Sequence, residues 1–204
     1  MILKKKQKRR EKIMQTAREL FTDNGFRDTS ILDIAEKSEL AAGTIYNYFS
    51  SKGALLLSML SENIEETIDS TTGILEKSKE TADRIHILLD GFTDFYARFE
   101  KPLWREALAA AYGNEDFADN ALWNIQAQFQ NTLQGTITLL WTNRILRREL
   151  SPETITSVIY NIFFMHFLKY INTASTVEQM KKSLREQMTT VFSGILNKES
   201  LHNG

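Results

Sequence analysis

The chain has 204 residues, 42% of them hydrophobic, which is enough apolar content for a buried core in one domain or two small ones. It has no cysteine, which excludes disulfides and thiol chemistry, and only two prolines and nine glycines, which leaves little room for a turn-rich β architecture. The net charge of −1 is unevenly distributed: residues 1–52 carry eleven Lys/Arg against seven Asp/Glu, and the remainder carries fourteen against nineteen.

The basic excess is densest at the start, where residues 1–12 hold seven bases and one acid. An amphipathic helical pattern follows KKKQKRR, not the apolar segment of a secretory signal. The longest apolar run, Val158–Leu168, is too short to span a bilayer and contains Asn161 and His166. A soluble, cytoplasmic protein with no membrane role is therefore expected. In the leading helix, Ile13, Ala17, Leu20 and Phe21 share a face suited to a small core. A membrane-surface role for this helix is disfavoured because Glu11, Glu19 and Asp23 interrupt its basic face.

Residues 25–53, GFRDTSILDIAEKSELAAGTIYNYFSSKG, read as two short helices joined by a tight turn. Ser30 and Asp33 have capping-box spacing, with a hydroxyl and a carboxylate available for free backbone N–H groups. Ile31, Ile34 and Ala35 lie on one face of the first helix, and Leu40 is the large apolar residue in the turn. Ala41, Ala42 and Gly43 open the second helix without bulk. Ile45 and Phe49 are four apart and should face inward, leaving Thr44, Tyr46 and Asn47 on other faces and Tyr48 between them. Lys52 follows at the start of the next helix, where a cation would serve a phosphate. Helix-turn-helix proteins use this arrangement to present polar and aromatic groups to DNA.

Residues 9–56 resemble the TetR family of bacterial transcription regulators. The likeness lies in the leading helix RREKIMQTARELFTDNGF, in TSILDIAEKSEL, in AAGTIYNYF and in the SSKGALL that follows. The family's string of Gly, Thr, Tyr, Tyr or His, Phe and Lys appears as Gly43, Thr44, Tyr46, Tyr48, Phe49 and Lys52. The resemblance implies base or backbone contacts by Thr44 and Tyr46 and phosphate contacts near Ser30, Tyr48 and Lys52. Asn47 varies in the family and is the candidate for sequence-specific readout. Ala41-Ala42 departs from the Val-Ser-like pair of many members, which removes a polar contact from position 42. Beyond about residue 60 the resemblance extends to architecture alone.

The remainder reads as helices at about 52–77, 80–100, 102–112, 115–147, 152–173 and 176–197. Pro102 and Pro152 fall where helices begin, and Ser151-Pro152-Glu153 has a cap, a first-turn proline and a first-turn acid. Gly91, Gly135 and Gly194 lie inside helical patterns at about 1 kcal/mol each relative to Ala, so close packing or room for a ligand is expected there. In the last two helices, Ile159, Phe163 and Phe167 and the stripe Leu184, Met188, Val191 and Ile195 are candidates for a homodimer interface. The alternative is that both stripes bury within one chain. The resemblance favours the dimer.

Ten aromatic residues lie between residues 90 and 142. In TetR-like proteins this region encloses an effector pocket, so Phe95, Trp104, Phe129 and Trp141 are candidate lining residues, with Arg105 as an anchor for an anionic group and His166 as a packed or pocket residue. An aromatic-rich helical cavity suits a flat or greasy ligand. No histidine–carboxylate cluster has metal spacing, no glycine-rich phosphate loop follows a strand, and no nucleophile motif appears. Neither a metal nor a cofactor is expected, and the chain is not expected to be an enzyme.

The sequence thus predicts an all-α protein. A three-helix helix-turn-helix DNA-binding domain occupies residues 1–52, with its motif at about 29–48, and a helical effector-binding and dimerisation domain occupies residues 53–204. The expected function is a homodimeric, ligand-responsive regulator that binds a double-stranded DNA operator, a repressor released by a small hydrophobic or aromatic effector. The alternative is an all-helical carrier of hydrophobic ligands, or a small enzyme, without specific DNA binding.

Overall fold

The computed structural model describes residues 2–62, 64–77, 81–112 and 121–196. Among the described residues, ten helices follow in order: α1 Ile2–Asn24, α2 Ile31–Ser38, α3 Ala42–Tyr46, α4 Lys52–Leu60, α5 Ile64–Lys77, α6 Thr81–Ala97, α7 Lys101–Tyr112, α8 Ala121–Thr142, α9 Pro152–Asn172 and α10 Val177–Ile195. The only β pairing among the described residues is an isolated antiparallel bridge between Leu146 and Leu196. The all-α expectation holds.

The chain divides into two compact units, Met1–Glu62 with Pro102–Asn124, and Asn63–Lys101 with Ile125–Gly204. The first is built around α1. Ile13, Met14, Ala17 and Phe21 on α1, Ile31, Ile34 and Ala35 on α2, Ile45 on α3, Phe49 after it, and Leu55, Leu56 and Met59 on α4 are all buried. Helix α1 packs on α2 and on α4, and α2 on α3. Helix α1 ends at Gly25, whose positive φ of 85° suits a residue without Cβ. Helix α4 clusters with this unit, which also takes in Pro102–Asn124.

Two expected helices are shorter than the periodicity suggests. The 52–77 pattern is two helices: α4 stops at Leu60, where the Ser61 N–H bonds to the Leu57 carbonyl and its hydroxyl to the Ser58 carbonyl. A serine side chain that bonds its own backbone competes with helix propagation, so no single helix runs across residues 52–77. The 115–147 pattern ends at Thr142. Arg144 turns the chain with φ 60°, and Leu146 is then fully buried at the bridge to Leu196. The start of that predicted helix, residues 115–120, lies outside the described residues.

The second unit has an aromatic interior. Phe92 stacks on Phe129 with centroids 3.9 Å apart, Phe129 meets Phe163 edge-on at 4.6 Å, and Tyr96 packs on Phe167 at 4.3 Å. Helix α6 packs on α5 and α10, and α10 on α9. At Gly91, a Cβ would stand 2.5 Å from the Thr71 Oγ1, so this glycine is required by the close approach of α5 and α6. Ser151 and Thr176 cap α9 and α10 through the backbone N–H groups of Thr154 and Gln179.

Candidate nucleic-acid interface

The capping box forms. The Asp33 N–H donates to the Ser30 hydroxyl at 3.1 Å, and the Ser30 N–H donates to the Asp33 carboxylate at 2.6 Å. That backbone bond is the main reason the Asp33 carboxyl is held below the usual carboxylate range. The two bonds fix where α2 begins, with Ser30 exposed at its tip. At its other end, Glu39 adopts a left-handed conformation and the Leu40 N–H closes on the Ala35 carbonyl at 2.9 Å. That closure turns the chain sharply into α3.

Helix α3 divides as its spacing predicts. Ile45 and Phe49 are buried, which fixes the rotation of the helix about its axis. Tyr46 is 54% exposed, Gly43 and Asn47 are exposed, and Thr44 and Tyr48 are half-buried. A Cβ at Gly43 would meet nothing within 4 Å. The N-cap of α3, Ala41, makes no side-chain cap bond. Outside the buried Ile45–Phe49 face, the helix therefore carries a hydroxyl, a phenol and a carboxamide, groups of the kinds that read base edges and phosphates.

Lys52 is bonded within the chain. Its ammonium donates to the carbonyls of Phe26 at 2.7 Å, Thr29 at 2.8 Å and Arg27 at 3.3 Å, and sits 4.3 Å from the Phe26 ring centroid. An ammonium has three hydrogens, and all three are used. Burial pushes its pKa below the usual lysine range, with the carboxylates of Glu106, Asp28 and Asp33 opposing that shift. In the chain by itself, Lys52 ties the start of α4 to the α1–α2 turn. The same turn is gripped again where Arg27 Nε donates to Glu106 of α7 at 2.6 Å. No local pattern announces that contact, because the partners are 79 residues apart.

In the second unit, Ile159, Phe163, Phe167, Leu184 and Met188 are buried within the chain's own interior. They pack inside the single chain. Val191 and Ile195 are half-buried. The opposite face of α9 leaves Val158 43% and Met165 62% exposed. Of the expected pocket residues, Phe95 and Phe129 are buried against other rings, and His166 is half-buried on α9. Trp141 lies under the Arg148 guanidinium, 4.0 Å away, and its buried Nε1 has no hydrogen-bond partner. Trp104 is buried in the first unit, where Arg105 is exposed.

A cleft of about 490 Å³ lies elsewhere, between α5, α6 and α8. Ile68, Thr72, Arg84, Thr136 and Leu139 line it, and Gly135 opens it, since a Cβ there would meet nothing within 4 Å. None of the six expected pocket residues lines this cleft.

Residues 13–59 match the family model described as bacterial regulatory proteins, tetR family. The chain is 38% identical over 80 residues to the uncharacterized HTH-type transcriptional regulator YvdT of Bacillus subtilis, covering 39% of this chain and 41% of that one. It is 30% identical over 107 residues to the HTH-type transcriptional repressor KstR2 of Mycolicibacterium smegmatis, covering 52% and 49%. The matched segment thus spans about half or less of these relatives. Among solved structures, the fold resembles Thermus thermophilus FadR, a TetR-family repressor in complex with lauroyl-CoA. The TM-score is 0.70 at 21% identity, over 90% of this chain and 93% of that one.

Proposed function

We propose that the chain, whose residues 13–59 match the family model of bacterial regulatory proteins of the tetR family, is a ligand-responsive, homodimeric repressor. The observation that carries this is the division of α3: Ile45 and Phe49 anchor it while Tyr46 and Asn47 are free toward a major groove. Thr44, Tyr46 and Asn47 read the operator, Gly43 allows close approach of the backbone, and Ser30 and Tyr48 meet phosphates. Lys52 contributes by holding the turn that precedes α2.

A dimer is needed for a palindromic operator, because two recognition helices reach half-sites about 34–36 Å apart. The second copy meets Val158, Ile162 and Met165 on the outer face of α9, since the inner faces of α9 and α10 are already filled. The effector is a small, largely apolar molecule bound in the α5–α6–α8 cleft, whose size suits an ordinary organic ligand. The lauroyl-CoA bound by a fold neighbour supports an apolar effector in kind. Such an effector acts by preferring one conformation of the dimer, with a coupling of about 1–3 kcal/mol. The relatives are transcriptional regulators, which supports a regulatory role over the ligand-carrier or small-enzyme alternative.

The test is selection of genomic DNA fragments by the purified protein near physiological salt, followed by sequencing and titration of Tyr46→Phe and Tyr46→Ala. Recovery of one palindromic motif, with affinity reduced by Tyr46→Ala in a folded protein, is the expected result. No selected motif and no salt-dependent DNA binding would return the carrier reading.

A further inference from the structure

The apolar stripe of α1 stops at Ile13, yet the helix runs on toward its N-terminal end for nearly three more turns. Traced backward along the face of Ala17 and Ile13, the next positions are Arg10 and Lys6, so cations stand where core residues would continue. Lys4, Lys5, Lys6, Lys8 and Arg9 are all exposed. The single acid of this stretch, Glu11, accepts from Gln7 at 2.9 Å. Lys4 and Lys8, Lys5 and Arg9, Lys6 and Arg10, and Lys8 and Lys12 are like-charge pairs four residues apart, a spacing that weakens a helix unless an anion sits beside it.

The root of this basic segment adjoins both ends of the recognition element. The Arg10 guanidinium lies 5.3 Å from the ring centroid of Phe49, just after α3, and Lys12 pairs at 3.6 Å with Glu39 in the turn before α3. Residues 4–10 extend about 10 Å at 1.5 Å per residue, roughly the length of three base pairs. There is no apolar side chain from Lys4 to Lys12 to enter a bilayer, so duplex DNA is the better match of the two extended anionic surfaces.

We propose that Lys4, Lys5, Lys6, Lys8 and Arg9 form a basic helical arm that grips the phosphate backbone flanking the half-site read by α3. The inference rests on the DNA-binding reading of α3 and adds a second contact surface to it.

The test compares the full chain with its Lys4→Gln/Lys5→Gln/Lys6→Gln/Lys8→Gln/Arg9→Gln variant. Each is titrated over a salt series against the selected operator, once trimmed to its half-sites and once with ten base pairs of flank on either side. Each phosphate neutralised contributes about 0.9 to the slope of log affinity against log salt. On flanked DNA the variant, which removes five cations, should therefore lose roughly 4–5 from that slope, with its motif preference intact. On trimmed DNA the two proteins should agree. The Lys4→Arg/Lys5→Arg/Lys6→Arg/Lys8→Arg variant should match the parent. An unchanged slope on flanked DNA would overturn the arm while leaving the regulator reading in place. So would a slope loss equal on both DNAs. A parent protein that binds no duplex would overturn both.

Discussion

The Lys52 ammonium donates to the Thr29 carbonyl at 2.8 Å across 23 residues of chain. With its bonds to Phe26 and Arg27, it converts the α1–α2 turn and the start of α4 into one rigid corner. Thr29 is itself buried, its hydroxyl bonded to the Gly25 carbonyl at 2.9 Å. Replacing Lys52 with Met keeps the stem and removes the donors. It should lower stability by about 1–3 kcal/mol, as stranded acceptors do, and weaken operator binding through displaced geometry. The salt slope of binding should stay at the parent value. A slope lower by about 0.9 with unchanged thermal stability would return Lys52 to the phosphate contacts.

What the sequence revealed and what it hid divide along the range of the interactions. The Ser30–Asp33 capping box, the inward set Ile31, Ile34, Ala35, Ile45 and Phe49, and the exposure of Tyr46 and Asn47 depend on spacings of five residues or fewer, and each was readable. Periodicity marked Phe163, Leu184 and Met188 as a buried face, but it carries no information on what covers them, and the cover is the chain itself. Lys52 looked like a free cation because its partners are backbone carbonyls, which leave no mark in a sequence. The break after Leu60 has neither proline nor glycine to announce it, only the backbone bonding of Ser61.

Glu39 occupies a left-handed conformation with φ 57° at the turn between α2 and α3. An L-residue with a Cβ is disfavoured there by about 1–2 kcal/mol, whereas glycine is not. Glu39→Gly should therefore stabilise the chain by about 1 kcal/mol. The exposed pair with Lys12, at 3.6 Å, contributes little against that gain. Urea titration of the variant measures the difference, and a lower midpoint than the parent would mean that the side chain of Glu39 matters more than its backbone.

Gly91 faces Thr71 so closely that an added methyl cannot be accommodated without movement of buried groups. Gly91→Ala should destabilise the second unit by about 1–3 kcal/mol, the usual cost of overpacking. Thr71→Ala in the same chain removes the obstructing atoms, so the double variant should recover much of the loss. Thermal unfolding of the two single variants and the double variant checks the pair, and additive losses would separate Gly91 from Thr71.

His86 packs edge-on against Phe192, ring centroids 5.9 Å apart, and desolvation there lowers its pKa below 6.5, assisted by the nearby Arg185 guanidinium. The carboxylates of Asp90 and Asp83 pull the other way and are outweighed. A base whose folded-state pKa is depressed is favoured neutral in the folded chain, so the unfolded chain binds the proton first as pH falls. Its contribution to stability is full above pH 6.5. That contribution declines below pH 6.5 as the unfolded chain takes up a proton the folded chain resists, and levels off under the folded-state value. Urea unfolding at pH 7.5 and 5.5 should show the parent losing more stability than His86→Gln over this interval. Equal losses in the two proteins would assign the acid sensitivity to other groups, and a larger loss in His86→Gln would reverse the sign derived from the desolvated ring.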